Sequence, residues 1–592
     1  MTPSFSLALT GSGGAGVMTA GQLLLDAAAL AGRYGLMARS FGPQIRGGEA
    51  AALLRLARRP VECPDDDYDL LVALDWGNIE RFADELPLAA GAVIIADPGQ
   101  GGVPEVIATQ AGRIHEIAIS QLARDIPGGR PNMVALGIAA ALADVPGGAV
   151  ETRVRQALAR HGDESVAAAI ACLAAGRAAA LEVTGHGDPP SAAPSEDTVD
   201  AGAPGPHLDR WVLNGNEATG FGALAAGVRF CAAYPITPAT EILEWLAGRL
   251  PRVGGRLVQA EDELASINMC IGASFGGVPA LTATAGPGLS LMIESLGLAV
   301  AAEVPLVVAN VMRGGPSTGI PTKSEQTDLN IAVYGLHGEA PHVVVAPTGV
   351  GDCAPTAAWA VSLAETLQTP VILLSDQALG QTRTIVDPPG GELARAGRRR
   401  YVARHDDSTE TYRRYAMTAD GISPMSCPGL PGGQYTADGL THTEHGIPST
   451  RAEDHVGQLD KRRRKLEEYD YGPLWGDLHG AGDIAVITWG SATQPVREAC
   501  QRAEACGLAV RLVALRLLSP VPASELEAAL GGVRACLVVE HNHSGQLYRH
   551  LRAWTELPHP TLAWHRPGPL PLRPGEILGA LQGLHAQLEA AA

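Results

Sequence analysis

Short apolar runs alternate with longer stretches of helical character in the first 185 residues. The expected strands are Phe5–Leu9, Tyr68–Leu74 and Gly91–Ala96, and the expected helices are Ala20–Ala31, Ile79–Leu86 and two that start at Ser120 and Asn132. This alternation is the βαβ pattern, which predicts a mainly parallel sheet covered by helices.

The same alternation returns in two further segments. In residues 210–386 the expected strands are Arg229–Tyr234, Ala280–Thr284, Leu306–Val311, His342–Val345 and Val371–Leu374. In residues 479–592 they are Ile484–Thr488, Ala509–Ala514 and Ala535–Val539. The pattern therefore predicts three doubly wound α/β domains: 1–185, 210–386 and 479–592.

Two segments break the alternation. Residues 186–209 are rich in Pro, Ala, Gly, Ser and Asp, a composition typical of an exposed linker. Residues 387–478 are irregular and more charged, and they include the run Asp460–Glu468. We expect this run to form a solvated helix face rather than a phosphate site.

Composition and charge exclude several classes of protein. The 592 residues carry a net charge of −19, from 44 basic and 63 acidic residues, which argues against nucleic-acid binding. No run of about 20 apolar residues lacks a charge, so we expect no membrane span, and the start of the chain has no signal-peptide pattern. The nine cysteines contain no CxxC pair, so we expect no metal or cluster held by this chain alone. These features favour a cytoplasmic protein.

A glycine-rich turn, Gly11–Val17, follows the first strand. Glycines allow close approach to a phosphate, and the next helix offers free N–H groups at its start. The acid expected for NAD binding is missing after the second apolar run, where Met37–Glu49 instead holds Arg39 and Arg46. The turn is thus either a site for another phosphate-bearing ligand or only a tight βα connection.

In the middle segment, the loop Tyr234–Thr240 follows an expected strand. Its prolines fix the loop at the carboxyl end of the strand, where open α/β sheets bind ligands. Thr237 offers a hydrogen-bonding hydroxyl, and we expect Thr240 to cap the helix Glu241–Leu250.

Two charged motifs follow. Glu261, Asp262 and Glu263 open an apolar helix, either as complements to its dipole or with one carboxyl buried to serve as an acid. Arg313 ends an apolar strand and precedes the hydroxyl-bearing loop 314–319. Its fork suits a carboxylate, although an arginine there can also tie down a helix C-terminus.

These motifs together resemble the alpha subunit of 2-oxoacid:ferredoxin oxidoreductases, in the form with the gamma subunit fused at the N-terminus. The resemblance covers nearly the whole chain and is carried by these segments: GSGGAGV, GNEATGFGAL at 215–224, YPITP, the EDE helix, TAGPG at 284–288, RGGPSTG and Glu540–Leu547. It implies a gamma-type domain, a pyrimidine-binding domain of thiamine-diphosphate enzymes and a transketolase C-terminal-like domain, in that order.

The resemblance also implies roles for individual residues. Either Glu261 or Glu263 would hold N1′ of the thiamine aminopyrimidine; Glu263 is preferred, because Gly272-Ala273 lies at the family spacing after it. The residues implied for the substrate are Arg313, Thr237, Ser317 and Thr318. A distal carboxylate would need a second cation, and Lys323 is either that cation or a surface lysine. Pro235 is implied beside thiamine diphosphate, and Gly13, Gly14 and Arg46 are implied to bind coenzyme A.

The implied activity is oxidative decarboxylation of 2-oxoglutarate to succinyl-CoA, with electrons passed to ferredoxin. No diphosphate–metal loop and no cluster ligands are found in the sequence, so Mg²⁺ and a [4Fe-4S] cluster are expected on a beta subunit, in a dimer of heterodimers. Two alternatives stay open. The same chemistry could act on pyruvate, branched-chain or aryl 2-oxoacids, or the chain could be a non-catalytic coenzyme-binding or assembly subunit.

Overall fold

The computed structural model describes residues 4–42, 48–110, 112–185, 210–391, 393–395, 397–402 and 411–591. The segment 186–209, expected as a linker, lies outside these residues. The strands are β1 Ser4–Ser12, β2 Tyr34–Phe41, β3 Glu49–Ala57, β4 Tyr68–Ala73, β5 Leu88–Ala96, β6 Arg113–Glu116, β7 Trp211–Leu213, β8 Phe230–Ala233, β9 Arg256–Gln259, β10 Ala280–Thr284, β11 Leu306–Met312, β12 Val343–Val345, β13 Pro370–Asp376, β14 Arg383–Val386, β15 Gly476–Gly480, β16 Ile484–Trp489, β17 Val510–Leu515, β18 Leu517–Ser519, β19 Ala535–Glu540 and β20 Thr561–His565.

The α-helices lie between these strands. They are α1 Val17–Leu30, α2 Glu105–Ala108, α3 Ile119–Arg124, α4 Pro131–Leu142, α5 Gly147–Leu158, α6 Asp163–Thr184, α7 Gly215–Ala226, α8 Thr240–Ala247, α9 Glu263–Phe275, α10 Gly286–Ala301, α11 Leu329–Tyr334, α12 Cys353–Leu367, α13 Gln377–Gln381, α14 Ala452–Glu467, α15 Thr493–Ala505, α16 Ala523–Ala529, α17 Gln546–Arg552 and α18 Pro574–Ala591.

The first of two compact units contains Met1–Asn214, Gln381–Pro388 and Leu570–Leu578. It holds an eight-stranded sheet in the order β6-β5-β4-β1-β3-β2-β14-β7. The pairs from β6 to β1 are parallel, and all pairs from β1 to β7 are antiparallel. The sheet predicted as mainly parallel is therefore parallel in four strands only.

Two predictions for this unit need correction. The hairpin β2–β3 was not predicted, because β3 is rich in Ala and Leu, is buried along its whole length and shows no strand alternation. The helix expected at Ile79–Leu86 is replaced by two short 3₁₀ turns, Ile79–Arg81 and Ala83–Glu85.

Helix α6 is 22 residues long with a mean hydropathy of 1.7, so it is long and apolar enough to cross a membrane by those two criteria. It is the one such helix among the residues that the structure describes. Its small residues pack against α4: a Cβ at Gly176 would overlap the backbone carbonyl of Val134, and one at Gly137 that of Leu173. The backbones of α4 and α6 are therefore in direct contact at these two glycines.

The second unit contains Gly215–Gly380, Pro389–Pro569 and Gly579–Ala592 and has two sheets. The seven-stranded sheet runs β18-β12-β13-β11-β10-β8-β9, parallel except for β18. The five-stranded sheet runs β15-β17-β16-β19-β20, parallel except for β15. The predicted α/β class is confirmed, and the strands expected in this unit lie within two residues of their observed bounds.

The charged run Asp460–Glu468 lies largely on α14, and the prediction of a solvated face is wrong for half of it. Lys461, Arg462 and Lys465 are buried, whereas Arg463 is exposed. Both lysines bind one buried carboxylate: Nζ of Lys461 lies 2.6 Å and Nζ of Lys465 2.9 Å from the oxygens of Glu303. A face made mainly of charged and polar residues is thus buried because a partner far along the chain compensates its charge.

Candidate functional site

Four motif loops meet at one edge of the seven-stranded sheet. Strands β9, β8, β10 and β11 are neighbours in that order and run parallel, so their carboxyl ends share one edge. The segments that follow them carry the acidic motif, YPITP, TAGPG and RGGPSTG. This edge is where open α/β sheets place ligands.

Glu263 is the first residue of α9, and its side chain turns inward. The side chain of Asp262 caps the helix by accepting from the N–H of Ala265 at 2.7 Å. Glu263 is 7% exposed, whereas Glu261 is exposed. The carboxylate lies against Gly288, where a Cβ would come within 2.7 Å of Oε1.

The carboxylate of Glu263 makes no hydrogen bond to any residue that the structure describes. A buried carboxylate normally has a donor, because removing an unpaired charge from water is costly. The site therefore fits a ligand group that can share a proton with this carboxyl group, such as N1′ of an aminopyrimidine, which accepts the proton from the acid and then donates it back to the carboxylate.

Arg313 follows β11 and is 8% exposed. Its Nη1 donates to the backbone carbonyl of Thr237 at 2.6 Å, which joins the YPITP and RGGPSTG loops. Burial lowers the pKa of Arg313, an effect that the charge of Asp328 opposes. Within the described residues, Nε and Nη2 make no hydrogen bond, so the bidentate edge of the guanidinium faces no protein acceptor.

The other expected substrate residues lie around Arg313 with different exposure. Ser317 and Thr318 are exposed at the tip of the loop, and Ser317 has a φ of 58°. Lys323 is half-buried, and its backbone carbonyl accepts from the N–H of Gly314 at 3.0 Å. Pro235 and Thr237 are half-buried in the neighbouring loop.

The expected capping role of Thr240 is wrong. Helix α8 already includes Thr240, and the residue at the cap position is Ala239, with no side-chain hydrogen bond there. The hydroxyl therefore lies one residue too late to accept from the first free N–H groups.

Sequence reasoning missed Asp328 and Asn310. Asn310 on β11 donates to Asp328 at 2.9 Å, and a Cβ at Gly286 of TAGPG would lie 2.9 Å from the same oxygen. Burial raises the pKa of Asp328, which hydrogen bonds from Asn310 and Thr327 and the charge of Arg313 only partly offset. The signal for Asp328 in the sequence was the polar run Ser324–Asp328, directly after the substrate loop.

In the first unit, the glycine-rich turn joins β1 to α1. Gly14 and Gly16 have φ values of 102° and 85°, and a Cβ on Gly14 would meet no atom within 4 Å. The N–H of Gly13 donates to the carbonyl of Gly48 at 2.6 Å. The arrangement leaves an open backbone cradle before a helix, which fits a phosphate group. Arg46 lies outside the described residues.

Asp75, which follows β4, was not singled out in the sequence. Its carboxylate accepts from the N–H and the hydroxyl of Ser12 and from the N–H of Gly77, each at 2.9 Å. It therefore fixes the entry to the glycine turn. The described residues contain no group of three or more His, Cys, Asp or Glu side chains placed to hold a metal.

Three family models match separate parts of the chain. They are described as pyruvate flavodoxin/ferredoxin oxidoreductase, thiamine diphosphate-binding (residues 221–461), pyruvate ferredoxin/flavodoxin oxidoreductase (6–179), and pyruvate:ferredoxin oxidoreductase core domain II (482–562). The alpha subunit of 2-oxoacid:ferredoxin oxidoreductase 2 from Aeropyrum pernix is 30% identical over 93% of both chains. The chain belongs to the alpha-subunit family of 2-oxoacid:ferredoxin oxidoreductases.

Other relatives in the alpha-subunit family are similar over part or all of their length. The 2-oxoglutarate synthase subunit KorA from Methanothermobacter marburgensis is 34% identical over 64% of this chain and 99% of its own. The alpha subunit from Saccharolobus solfataricus is 36% identical over 60% of this chain, and this chain spans 58% of that protein.

A solved structure of the family matches the whole fold. It is the 2-oxoglutarate:ferredoxin oxidoreductase of Magnetococcus marinus, with 2-oxoglutarate, coenzyme A and succinyl-CoA bound. It is 34% identical, has a TM-score of 0.88, and covers 98% of this chain and 100% of its own.

Proposed function

We propose that the chain is the alpha subunit of a thiamine-diphosphate-dependent 2-oxoglutarate:ferredoxin oxidoreductase, which forms succinyl-CoA, CO₂ and reduced ferredoxin. The full-length match to the Magnetococcus marinus enzyme, whose structure contains 2-oxoglutarate and coenzyme A, carries this proposal. The three domains, 1–185, 210–386 and 479–592, are part of the proposal, and the extents of the family matches support them.

Glu263 is the proposed partner of N1′ of the aminopyrimidine. Its buried carboxylate, without a donor among the described residues, can hold the proton that N1′ needs. The exposed Glu261 is not suited to this role. When bound, thiamine diphosphate supplies the thiazolium that accepts the electron pair released by decarboxylation. Pro235 and Gly288 would shape the same pocket.

Arg313 is the proposed ligand of the substrate carboxylate. Its Nε–Nη2 edge has no acceptor among the described residues, while Nη1 is fixed by Thr237. A guanidinium fixed in this way can bind the carboxylate through two parallel hydrogen bonds. Ser317 and Thr318 would complete the pocket from the exposed loop, and Lys323 would bind the distal carboxylate of 2-oxoglutarate.

Coenzyme A is proposed to bind the first unit. The open cradle at Gly13 and Gly14, with the start of α1 behind it, supports a phosphate contact. Arg46 is proposed as a further contact.

The remaining parts of the cycle are proposed to come from a beta subunit that carries the diphosphate-binding residues, Mg²⁺ and a [4Fe-4S] cluster. Large apolar side chains stay exposed in the motif loops and at the start of α9, among them Tyr234, Leu264 and Ile320. Such exposure beside a polar site supports an interface. A dimer of heterodimers, transfer to ferredoxin and a cytoplasmic location belong to the same proposal.

The test is reduction of ferredoxin or a viologen by the chain co-expressed with its beta subunit. Thiamine diphosphate, Mg²⁺ and coenzyme A are supplied, with 2-oxoglutarate, pyruvate and 2-oxoisovalerate in parallel. We expect a preference for 2-oxoglutarate. Preference for another acid would overturn the substrate assignment, and no reduction by an intact, cluster-loaded complex would overturn the catalytic one in favour of an assembly subunit.

A further inference from the structure

The five-stranded sheet has a topological switch point between β16 and β19. In the strand order, β17 lies on one side of β16, and β19 and β20 lie on the other side of β16. In open parallel sheets, ligands bind in the crevice outside the carboxyl ends of the two strands at such a point. The contents of this crevice therefore indicate what the C-terminal sheet does.

The crevice is filled by Gln326, a residue of the segment after the substrate loop. Its Nε2 donates to the carbonyl of Trp489, the last residue of β16, at 2.8 Å. Its backbone N–H donates to the carbonyl of His541, just after β19, at 2.7 Å, and its Oε1 accepts from the N–H of His541 at 2.8 Å. Gly490, with a φ of 58°, leaves room for this amide, because a Cβ there would lie 2.5 Å from Nε2.

Two further side chains hold the same segment. Asn542 donates to the carbonyl of Gln326 at 3.2 Å and to Glu540, itself fully buried, at 2.7 Å. Gln546 donates to the carbonyl of Thr327 at 2.9 Å and accepts from the N–H of Asn330 at 2.9 Å. The segment 326–330 is thus bound through backbone groups of three of its five residues, Gln326, Thr327 and Asn330.

The segment in turn closes the base of the loop that begins at Arg313. The N–H of Gly314 donates to the carbonyl of Lys323 at 3.0 Å. The hydroxyl of Thr327 lies 3.4 Å from both the carbonyl of Arg313 and the carboxylate of Asp328, so its one hydrogen is shared between these two acceptors. A shift of Gln326 or Thr327 would therefore move the backbone of Arg313. A displacement of about 1 Å at a substrate-binding group can cost about a hundredfold in rate.

We propose that the switch-point crevice of the C-terminal sheet is an intramolecular receptor for residues 326–330, and that Gln326 and Gln546 are positioning residues for Arg313. The C-terminal domain thereby sets the geometry of the substrate carboxylate site without touching the substrate. This inference rests on the proposed function, in which Arg313 binds the 2-oxoacid.

The test uses Gln326→Met and Gln546→Met, which keep the side-chain volume and remove the amide. The matched control is Gln501→Met on α15, because the side chain of Gln501 is exposed and makes no hydrogen bond to the described residues. In the complex with the beta subunit, we expect the KM for the 2-oxoacid to rise about tenfold in both variants. The KM for coenzyme A stays within about twofold, a split that general destabilisation would not produce.

A second readout needs no turnover. Amide hydrogen exchange of residues 313–323 in the same complexes should be at least about tenfold faster in both variants and unchanged in Gln501→Met. Unchanged exchange with an unchanged KM would overturn the positioning role, as would failure of both variants to fold, which would mark the contacts as structural only. If the wild-type complex shows no turnover, the proposed function is rejected. The hydrogen-exchange result alone then tests whether the switch-point crevice holds residues 326–330 in place.

Discussion

Arg313 and Thr237 are joined by a 2.6 Å hydrogen bond from Nη1 to the backbone carbonyl, which links the two loops that border the proposed substrate site. The residue pair was expected from the sequence to share the substrate, but the observed link uses the threonine carbonyl. The Thr237 hydroxyl is therefore left for another partner, and the carbonyl sets the direction of the guanidinium.

Replacing Arg313 with lysine keeps the positive charge and removes the paired N–H donors of the guanidinium group. We expect the KM for the 2-oxoacid to rise about 10- to 100-fold, because one ammonium cannot bind Thr237 and both carboxylate oxygens in the same geometry. The measurement is steady-state dye reduction against 2-oxoacid concentration. Arg463→Lys, on the exposed side of α14, is the control, and an unchanged KM in Arg313→Lys would reject the carboxylate role.

Glu263→Gln removes the buried carboxylate with little change of shape. If Glu263 holds the proton at N1′, turnover should fall about 10²- to 10⁴-fold while the complex stays assembled. The neighbouring exposed residue provides a close control, since Glu261→Gln should leave turnover within about twofold. The opposite pattern, with Glu261→Gln inactive, would transfer the role to Glu261.

The motifs and the strands before them could be located from the sequence, but the contacts between the motifs could not. The apolar runs located β10, β11 and β13 because buried parallel strands are continuously apolar. The choice of Glu263 over Glu261 came from spacing to Gly272-Ala273, and the structure adds a different reason, the inward turn at the start of α9. The contact between Gln326 and His541 spans 215 residues, so no local pattern could reveal it.

The charged run on α14 shows the same limit. Lys461 and Lys465 are one helical turn apart, which from the sequence alone indicates a solvated face. Their partner Glu303 lies 158 residues from Lys461, and only the fold brings them together. The burial of three cations follows from that distant carboxylate and from backbone carbonyls such as that of Gln368.

Glu303→Gln should destabilise the folded chain at neutral pH by about 3–5 kcal/mol, because it leaves buried cations without their carboxylate. Chemical denaturation of the chain measures this loss. Glu467→Gln on the same helix is the control, since its ion pair with Arg463 lies at the surface and contributes less than about 1 kcal/mol. An equal loss in both variants would contradict the assigned role of the buried cluster.

The same cluster makes stability depend on pH. Burial alone would raise the pKa of Glu303, but Lys461, Lys465 and Arg414 together lower it far below the ordinary value of 4.5. The unfolded chain therefore binds this proton more tightly, and the stability that Glu303 contributes is present above pH 4.5 and lost as the pH falls below it. The difference in unfolding free energy between wild type and Glu303→Gln should shrink from pH 6 to about pH 3. A constant difference would show that the pKa of Glu303 is the same in the folded and the unfolded chain, which would contradict its compensation by the buried cations.

Lys323→Met tests the distal carboxylate. We expect the KM for 2-oxoglutarate to rise about tenfold and the KM for pyruvate to stay unchanged. Only 2-oxoglutarate has a second carboxylate that would pair with the ammonium group of Lys323. Lys323→Arg keeps the charge and should retain most of the affinity. Equal effects of Lys323→Met on both acids would instead assign the residue to loop structure, through the bond of its carbonyl to Gly314.

Asp75→Asn tests the glycine turn of the first unit. The carboxylate accepts three hydrogen bonds, two from Ser12 and one from Gly77, and an amide at this position would set an N–H against at least one of these donors. Because Ser12 leads into the turn that contains Gly13 and Gly14, we expect the KM for coenzyme A to rise about tenfold. The KM for the 2-oxoacid should stay within about twofold, since Arg313 and Glu263 belong to the other unit. Asp84→Asn, at an exposed position of the same unit, is the control. A rise in the 2-oxoacid KM with the coenzyme A KM unchanged would reject the coenzyme A site at this turn.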